Sequence, residues 1–360
     1  MSNPFLLFFP YLPITGSYEL GPWQIGRLNS YSGPWASPEF ETLSKIFLGS
    51  FRNTHGDALS NPGLLSHRNS GMAGKLPTKP QRLAIQRSVD FAVLDRNPRP
   101  DSDNAGWLTA TTDNSELFIW PIDTIGQHIA LGRGAIVPVL EGGYTISTDL
   151  AVPAPLELHI PWEFGVDADL LKSLYHLFVR RLSGSQDHTR RRVEVAIGWL
   201  SKAWRNSTSI RAEDRVVFLK TGFEALTGES ENWKCARSLR DLFERELSGV
   251  SKHQAEHLLW SPKEKERFTY TYNRGSYQIT DLQHWFIEFG TARNTIIHNG
   301  VVPKLKYRER RSRFNGPYVM TAERLLREAI MMELRSLGYQ DLWISPQIRR
   351  IHRAVQALNL

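Results

Sequence analysis

Near the end of one apolar-patterned segment stand an arginine, an asparagine and a histidine whose spacing suits work on a phosphate: Arg293-Asn294-Thr295-Ile296-Ile297-His298, followed by Asn299-Gly300. On an ideal helix Asn294 and His298 are four apart and share a face. Arg293 lies about 100° around from Asn294, and its side chain is long enough to swing toward that face. A histidine changes charge near neutrality, so it can take a proton from an attacking hydroxyl or give one to a leaving oxygen. A fixed guanidinium offers paired donors to the non-bridging oxygens of a phosphorane as charge gathers there. Together these groups suit cleavage of RNA, whose 2′-hydroxyl is a built-in nucleophile. That chemistry needs no metal and would leave DNA uncut. The competing reading is that a basic residue and a histidine at a helix C-terminus serve the macrodipole and the last carbonyls.

The element that must carry these residues opens near Asp281, read as an N-cap, and buries Trp285, Phe286, Phe289, Ala292 and Ile296. Asn299-Gly300 and then Pro303 stop it. Around it the sequence predicts further amphipathic helices. One holds Leu170, Leu171, Leu174, Tyr175, Phe178 and Leu182, with Asp167 or Asp169 as cap and Gly184 at its end. The next cover about 189–204, 211–226 (closed by Gly228) and 232–247. Thr321 to Leu337 is another, and Ser345-Pro346 opens a last one. Residues 262–275 read as a basic, polar loop. Several helices with short links argue for a helical bundle.

Before about residue 165 the character differs. Tyr18 to Arg27 reads as a strand and 38–51 as a short helix. Residues 52–80 read as a long loop. Leu83, Ile85, Val89, Phe91 and Val93 fall on alternate positions, which predicts a strand. Further strands are expected at 116–121, 128–140 and 155–160, with a turn at Gly142-Gly143. The fold class is therefore α+β, with a β-rich mixed domain at 1–165 followed by an all-α domain at 166–360. The first domain holds no catalytic constellation, and its role reads as sensing or regulation at most.

The Arg293 to His298 stretch, with its polar residue after the arginine and a glycine shortly after the histidine, resembles the Arg-x4–6-His motif of the HEPN superfamily. Ala196-Ile197-Gly198-Trp199-Leu200 and Phe223-Glu224-Ala225-Leu226 resemble the Apea-like branch, and the likeness covers about residues 167–340. It implies an all-α bundle that dimerises so that two motifs form one composite site. It implies metal-independent cutting of single-stranded RNA, often in anti-phage defence, in toxin–antitoxin pairs or under the control of a regulatory partner. Carried onto this chain, Arg293 and His298 are the catalytic pair, Asn294 orients them or the phosphate, and Glu224 is a supporting residue. The alternative within the same family is a non-catalytic module that binds RNA, a nucleotide or a protein.

Other residues invite weighing. Lys304, Lys306, Arg308, Arg310, Arg311 and Arg313, interleaved with Tyr307 and Phe314, could follow an RNA backbone, or form a solvated loop. Arg180, Arg181, Arg190, Arg191 and Arg192 are a looser cluster that reads equally as exposed helix ends. His253-Gln254-Ala255-Glu256-His257 matches a zinc-protease pattern, with Glu333 a conceivable third ligand. Two solvated histidines explain it more simply, so no metal and no cofactor is expected. The net charge of +7 favours a polyanionic partner without requiring one. The single cysteine, Cys235, permits no internal disulfide and fits a reducing, cytoplasmic compartment. The apolar start lacks a basic region and is broken by Pro10 and Pro13, so no signal peptide and no membrane span are expected.

Overall fold

In a computed structural model the chain is described over residues 5–13, 16–26, 62–68, 76–95, 117–125, 128–131, 134–137, 144–147, 168–180, 183–203, 210–248, 258, 266–300 and 318–339. It divides into two compact units, Met1–Arg180 and Arg181–Leu360, and the fold is α+β. The expected boundary at 165/166 falls one helix too early.

The first unit is built on an antiparallel sheet. Its strands are β1 (Phe5–Pro13), β2 (Tyr18–Leu20), β3 (Trp23–Gly26), β4 (Pro62–His67), β5 (Phe118–Ile125), β6 (His128–Leu131), β7 (Gly134–Val137) and β8 (Tyr144–Ser147). They lie in the order β2-β3-β4-β1-β5-β7-β8, with β6 also paired to β5. Leu7, Phe8 and Phe9 on β1 and Leu64 and Leu65 on β4 are buried, and β1 pairs with β4 through Leu7↔Leu65 and Phe8↔Leu64. Two helices pack together in this unit, α1 (Lys79–Asp95) and α2 (Ala168–Val179), and α2 also meets β2. The expected strand at 18–27 is in fact a hairpin. Gly21 turns it with φ of +62°, and a Cβ there would run into the Tyr175 ring of α2.

The strand expected at 83–93 is the helix α1. Its buried side is made by Ala84, Ile85, Ser88, Val89, Phe91 and Ala92, while Leu83 is only half-buried, and the buried polar residues find partners along the helix. Gln86 Nε2 donates to Asp90 Oδ1 at 2.8 Å, and Ser88 Oγ donates to the Ala84 carbonyl at 2.7 Å. Gln86 Oε1 accepts from the Leu117 amide at 3.1 Å, just before β5. β4 lies inside the stretch expected to be loop, and the strand expected at 128–140 is two strands, β6 and β7. The helix expected at 38–51, the strand at 155–160, the turn at Gly142-Gly143 and the helix opening at Ser345 lie outside the described residues.

The second unit gathers helices around one of them. α3 (Gly184–Ala203), α5 (Asn232–Leu247), α6 (Asp281–Asn299) and α7 (Tyr318–Ser336) all contact α4 (Ala212–Thr227). Gly184, expected to end α2, instead starts α3 with φ of +60°. Val216, Leu219, Phe223 and Leu226 form the buried stripe of α4. Phe223 meets Phe286 edge-on at 4.9 Å and Phe289 at 6.2 Å, which joins α4 to α6. Gly222 lets α4 come close to α7 and α3, since a Cβ there would press on Leu326 and Trp199.

The expected loop at 262–275 is mostly a strand pair, β9 (Glu266–Tyr272) with β10 (Gly275–Thr280). Phe268, Tyr270 and Tyr272 alternate along β9. Tyr270 and Tyr272, with Tyr277 of β10, lie against Trp233 of α5, and Phe268 stacks on His284 of α6 at 4.2 Å. Asn273 and Arg274 make the turn with φ of +47° and +65°.

Candidate functional site

The segment that holds Arg293, Asn294 and His298 is anchored firmly at its other end. Thr280, not Asp281 as expected, caps α6. Its hydroxyl accepts from the Gln283 amide at 3.3 Å, and its own amide donates to Gln283 Oε1 at 3.1 Å. Such a reciprocal capping box satisfies two otherwise orphaned donors. At the far end Gly300 takes φ of +67° and donates to the Ile296 carbonyl at 2.8 Å, so the helix stops two residues after His298.

Within α6 the buried stripe runs through Leu282, Phe286, Phe289 and Ile296, and Arg293 falls in line with it, between Phe289 and Ile296. The Arg293 side chain keeps 26% exposure. Its Nη1 donates to Asn294 Oδ1 at 3.1 Å, and its Nη2 stands 4.0 Å from Glu224 Oε2 of α4. Its Nε is buried without a hydrogen-bond partner. Asn294 and His298 are exposed. Arg293 and His298 are five residues apart, hence about 140° around the helix. The structure brings Arg293 and Asn294 together, whereas His298 points away to solvent.

Glu224 is held from the other side as well. Lys220, one turn earlier on α4, donates to Glu224 Oε1 at 2.9 Å. The lysine is fully enclosed in the helical core, its Nζ 5.6 Å from the centre of the Phe286 ring. An uncompensated charge in such a place costs several kcal/mol, roughly 3–5 when a buried pair is broken. Sequence reasoning passed over Lys220, although its place between Leu219 and Phe223 in the apolar stripe is a readable signal. The neighbouring thiol of Cys235 is unsuited to nucleophilic work. Burial pushes it up to about 11 against the opposing pull of the Lys220 charge, and it lies 3.3 Å from Thr227 Oγ1.

A second group of one glutamate and two cations lies between α4 and α7. Glu323 has Arg327 Nη1 at 3.3 Å and feels the charge of Arg215. It is buried, and that burial pushes its carboxyl up to about 7 despite the two arginines. Arg215, like Arg293, has a buried Nε without a hydrogen-bond partner.

The remaining candidates divide. The basic run of Lys304, Lys306, Arg308, Arg310, Arg311 and Arg313 lies outside the described residues, as do His253, His257 and Arg181. Glu333 is hydrogen-bonded by Ser336 at 3.2 Å, and burial raises its pKa. Among the described residues no group of three or more histidines, cysteines and carboxylates is placed to hold a metal ion. Arg190 and Arg191 are tied to Asp187 at 2.7 and 2.9 Å, so that part of the arginine cluster is an ion-paired helix face. The hydrogen bond from Arg190 holds the Asp187 carboxyl below the usual range. Arg192 lies over Gly228, the left-handed cap of α4. No described helix is long and apolar enough to cross a membrane. Comparison with family models, with curated proteins and with solved structures finds no match to this chain.

Proposed function

We propose that this protein is a metal-independent endoribonuclease that cuts single-stranded RNA, with Arg293 holding the scissile phosphate and His298 moving a proton. The observation that carries this reading is the C-terminal end of α6. There an arginine is held from behind by Glu224 and from the side by Asn294, and an exposed histidine stands on the same helix end. The guanidinium has donor capacity left for a phosphodiester, and an exposed imidazole can reach a 2′-hydroxyl or a leaving 5′-oxygen. The motif's resemblance to the HEPN superfamily supports the reading, and the unit that carries it is mostly helical.

In-line attack puts the nucleophile and the leaving oxygen on opposite sides of phosphorus. A single His298 cannot serve both at once, and it lies well around the helix from Arg293. Two copies of the α6 end facing each other would supply two imidazoles and two guanidiniums, so a homodimer with a shared site is part of the proposal. The basic run after the motif, Lys304 to Arg313, would follow the RNA backbone. The reading places the protein in the cytoplasm. A role in anti-phage defence or as a toxin held by an antitoxin or regulatory partner extends it by resemblance.

The test incubates labelled single-stranded RNA with the wild type, Arg293→Ala and His298→Ala. The wild type is expected to cut in EDTA and to leave a 2′,3′-cyclic phosphate. Equal cutting by all three proteins overturns the assignment. Retardation of the RNA without shortening favours a module that binds and does not cut.

A further inference from the structure

Lys220 is a charge inside a stripe that is otherwise apolar. It sits in register with Val216, Leu219 and Phe223 and is fully enclosed, while the glutamate it holds is only partly covered, with a side-chain exposure of 21%. An ammonium in that position needs an anion, and the carboxylate one turn on along α4 supplies it at 2.9 Å. One oxygen of Glu224 is thereby tied to the core, and the other is turned to Arg293 at 4.0 Å. Lys220, Glu224 and Arg293 thus form a chain from the interior of α4 to the surface of α6.

We propose that Lys220 is a positioning residue: its buried ammonium fixes the Glu224 carboxylate and, through it, the guanidinium of Arg293 at the site that would hold an RNA phosphate. The inference rests on the ribonuclease reading of that site. The charges support it. Two cations share one carboxylate, so the cluster carries one positive charge in excess, and a phosphodiester carries the single negative charge that balances it. The Arg293 side chain keeps 26% exposure, so its guanidinium is within reach of such an oxygen. Without Lys220, Glu224 would be free to close on Arg293, neutralise it and draw it away from the substrate.

Lys220→Met tests this, because methionine has similar length and brings no charge into the core. In the full-length protein the Nε–Hε resonance of Arg293, assigned by its loss in Arg293→Lys, is expected to move in Lys220→Met and in Glu224→Gln. On single-stranded RNA the Lys220→Met kcat is expected to fall between about tenfold and a hundredfold, the size of a misplaced catalytic group, with a smaller change in KM. A purely structural Lys220 would lower the thermal midpoint and leave the resonance and the kcat of the folded protein as they were, which overturns the proposal. If Glu224→Gln fails to fold, the double variant Lys220→Met with Glu224→Gln, which leaves neither charge, replaces it. Movement of the resonance in a protein whose wild type neither cuts nor binds RNA upholds the positioning role and overturns the ribonuclease reading.

Discussion

Two clusters of one glutamate and two cations each draw on α4 and a neighbouring helix. Lys220 and Glu224 of α4 with Arg293 of α6 form the first, and Arg215 of α4 with Glu323 and Arg327 of α7 form the second. In the first, the carboxylate lies between a buried cation and one that reaches the surface. In the second it is the carboxylate itself that is buried, and burial outweighs its two arginines, so the carboxyl is pushed up to about 7. The same charges therefore serve differently according to which member meets water. The first cluster presents a guanidinium beside an exposed asparagine, with an exposed histidine farther around the same helix end. The second keeps its carboxylate buried while the Arg327 side chain stays 20% exposed, and it bears on stability instead.

Substitutions can break or sharpen that contrast. The largest effect is expected at the open cluster. Arg293→Ala or His298→Ala should lower RNA cleavage by roughly 10²–10³-fold or more, the size of losing an oxyanion donor or a general acid–base. Glu323→Gln in the closed cluster should leave kcat unchanged when assayed on the same RNA.

Next in size is the pH dependence of folding. The Glu323 carboxyl rises from its ordinary 4.5 to about 7 in the folded protein. Its contribution to stability is thus fully present below about 4.5 and is lost as pH rises to about 7. The loss is at most about 3 kcal/mol by linkage. Urea titrations at pH 5 and pH 8 should show the wild type losing more stability than Glu323→Gln over that interval. Parallel pH profiles for the two proteins would mean that Glu323 titrates normally.

Smaller again is Gly290→Ala. A Cβ at Gly290 of α6 would sit on the Asn232 side-chain amide of α5, and such crowding typically costs about 1–3 kcal/mol. A lower urea midpoint with RNA binding intact would set this position apart from the open cluster. The smallest effect is expected from Thr280→Ala, which removes the cap at the anchored end of α6 at a cost of about 1 kcal/mol. Thermal unfolding should show the loss, with kcat unaffected, because neither cluster is touched.

The second unit was largely legible in the sequence because its stripes recur at helical spacing and Gly228 and Gly300 stop their helices where expected. The misreadings have physical causes. In α1 the apolar residues at 83, 85, 89, 91 and 93 satisfy a strand pattern, but burial of Gln86, Ser88 and Asp90 is tolerable only because each finds a hydrogen bond along the helix. In β9 the alternation of Phe268, Tyr270 and Tyr272 was present but surrounded by charged and polar residues, and the turn lacks the usual glycine at its centre. For the candidate site, the placement of Arg293, Asn294 and His298 at the end of α6 followed from the apolar stripe and Gly300. The approach of Glu224 to Arg293 depends on how α4 crosses α6, which no local pattern encodes.

The turn at Asn273 and Arg274 joins two short strands whose tip is exposed and whose base packs on Trp233 and His284. Exposed tips of this kind are where proteases nick and where insertions are accepted. The chain could therefore be opened between Asn273 and Arg274 with both pieces held together by the aromatic contacts beneath. In such a split form α6 begins near the start of the second piece, where it could be tagged without disturbing its far end.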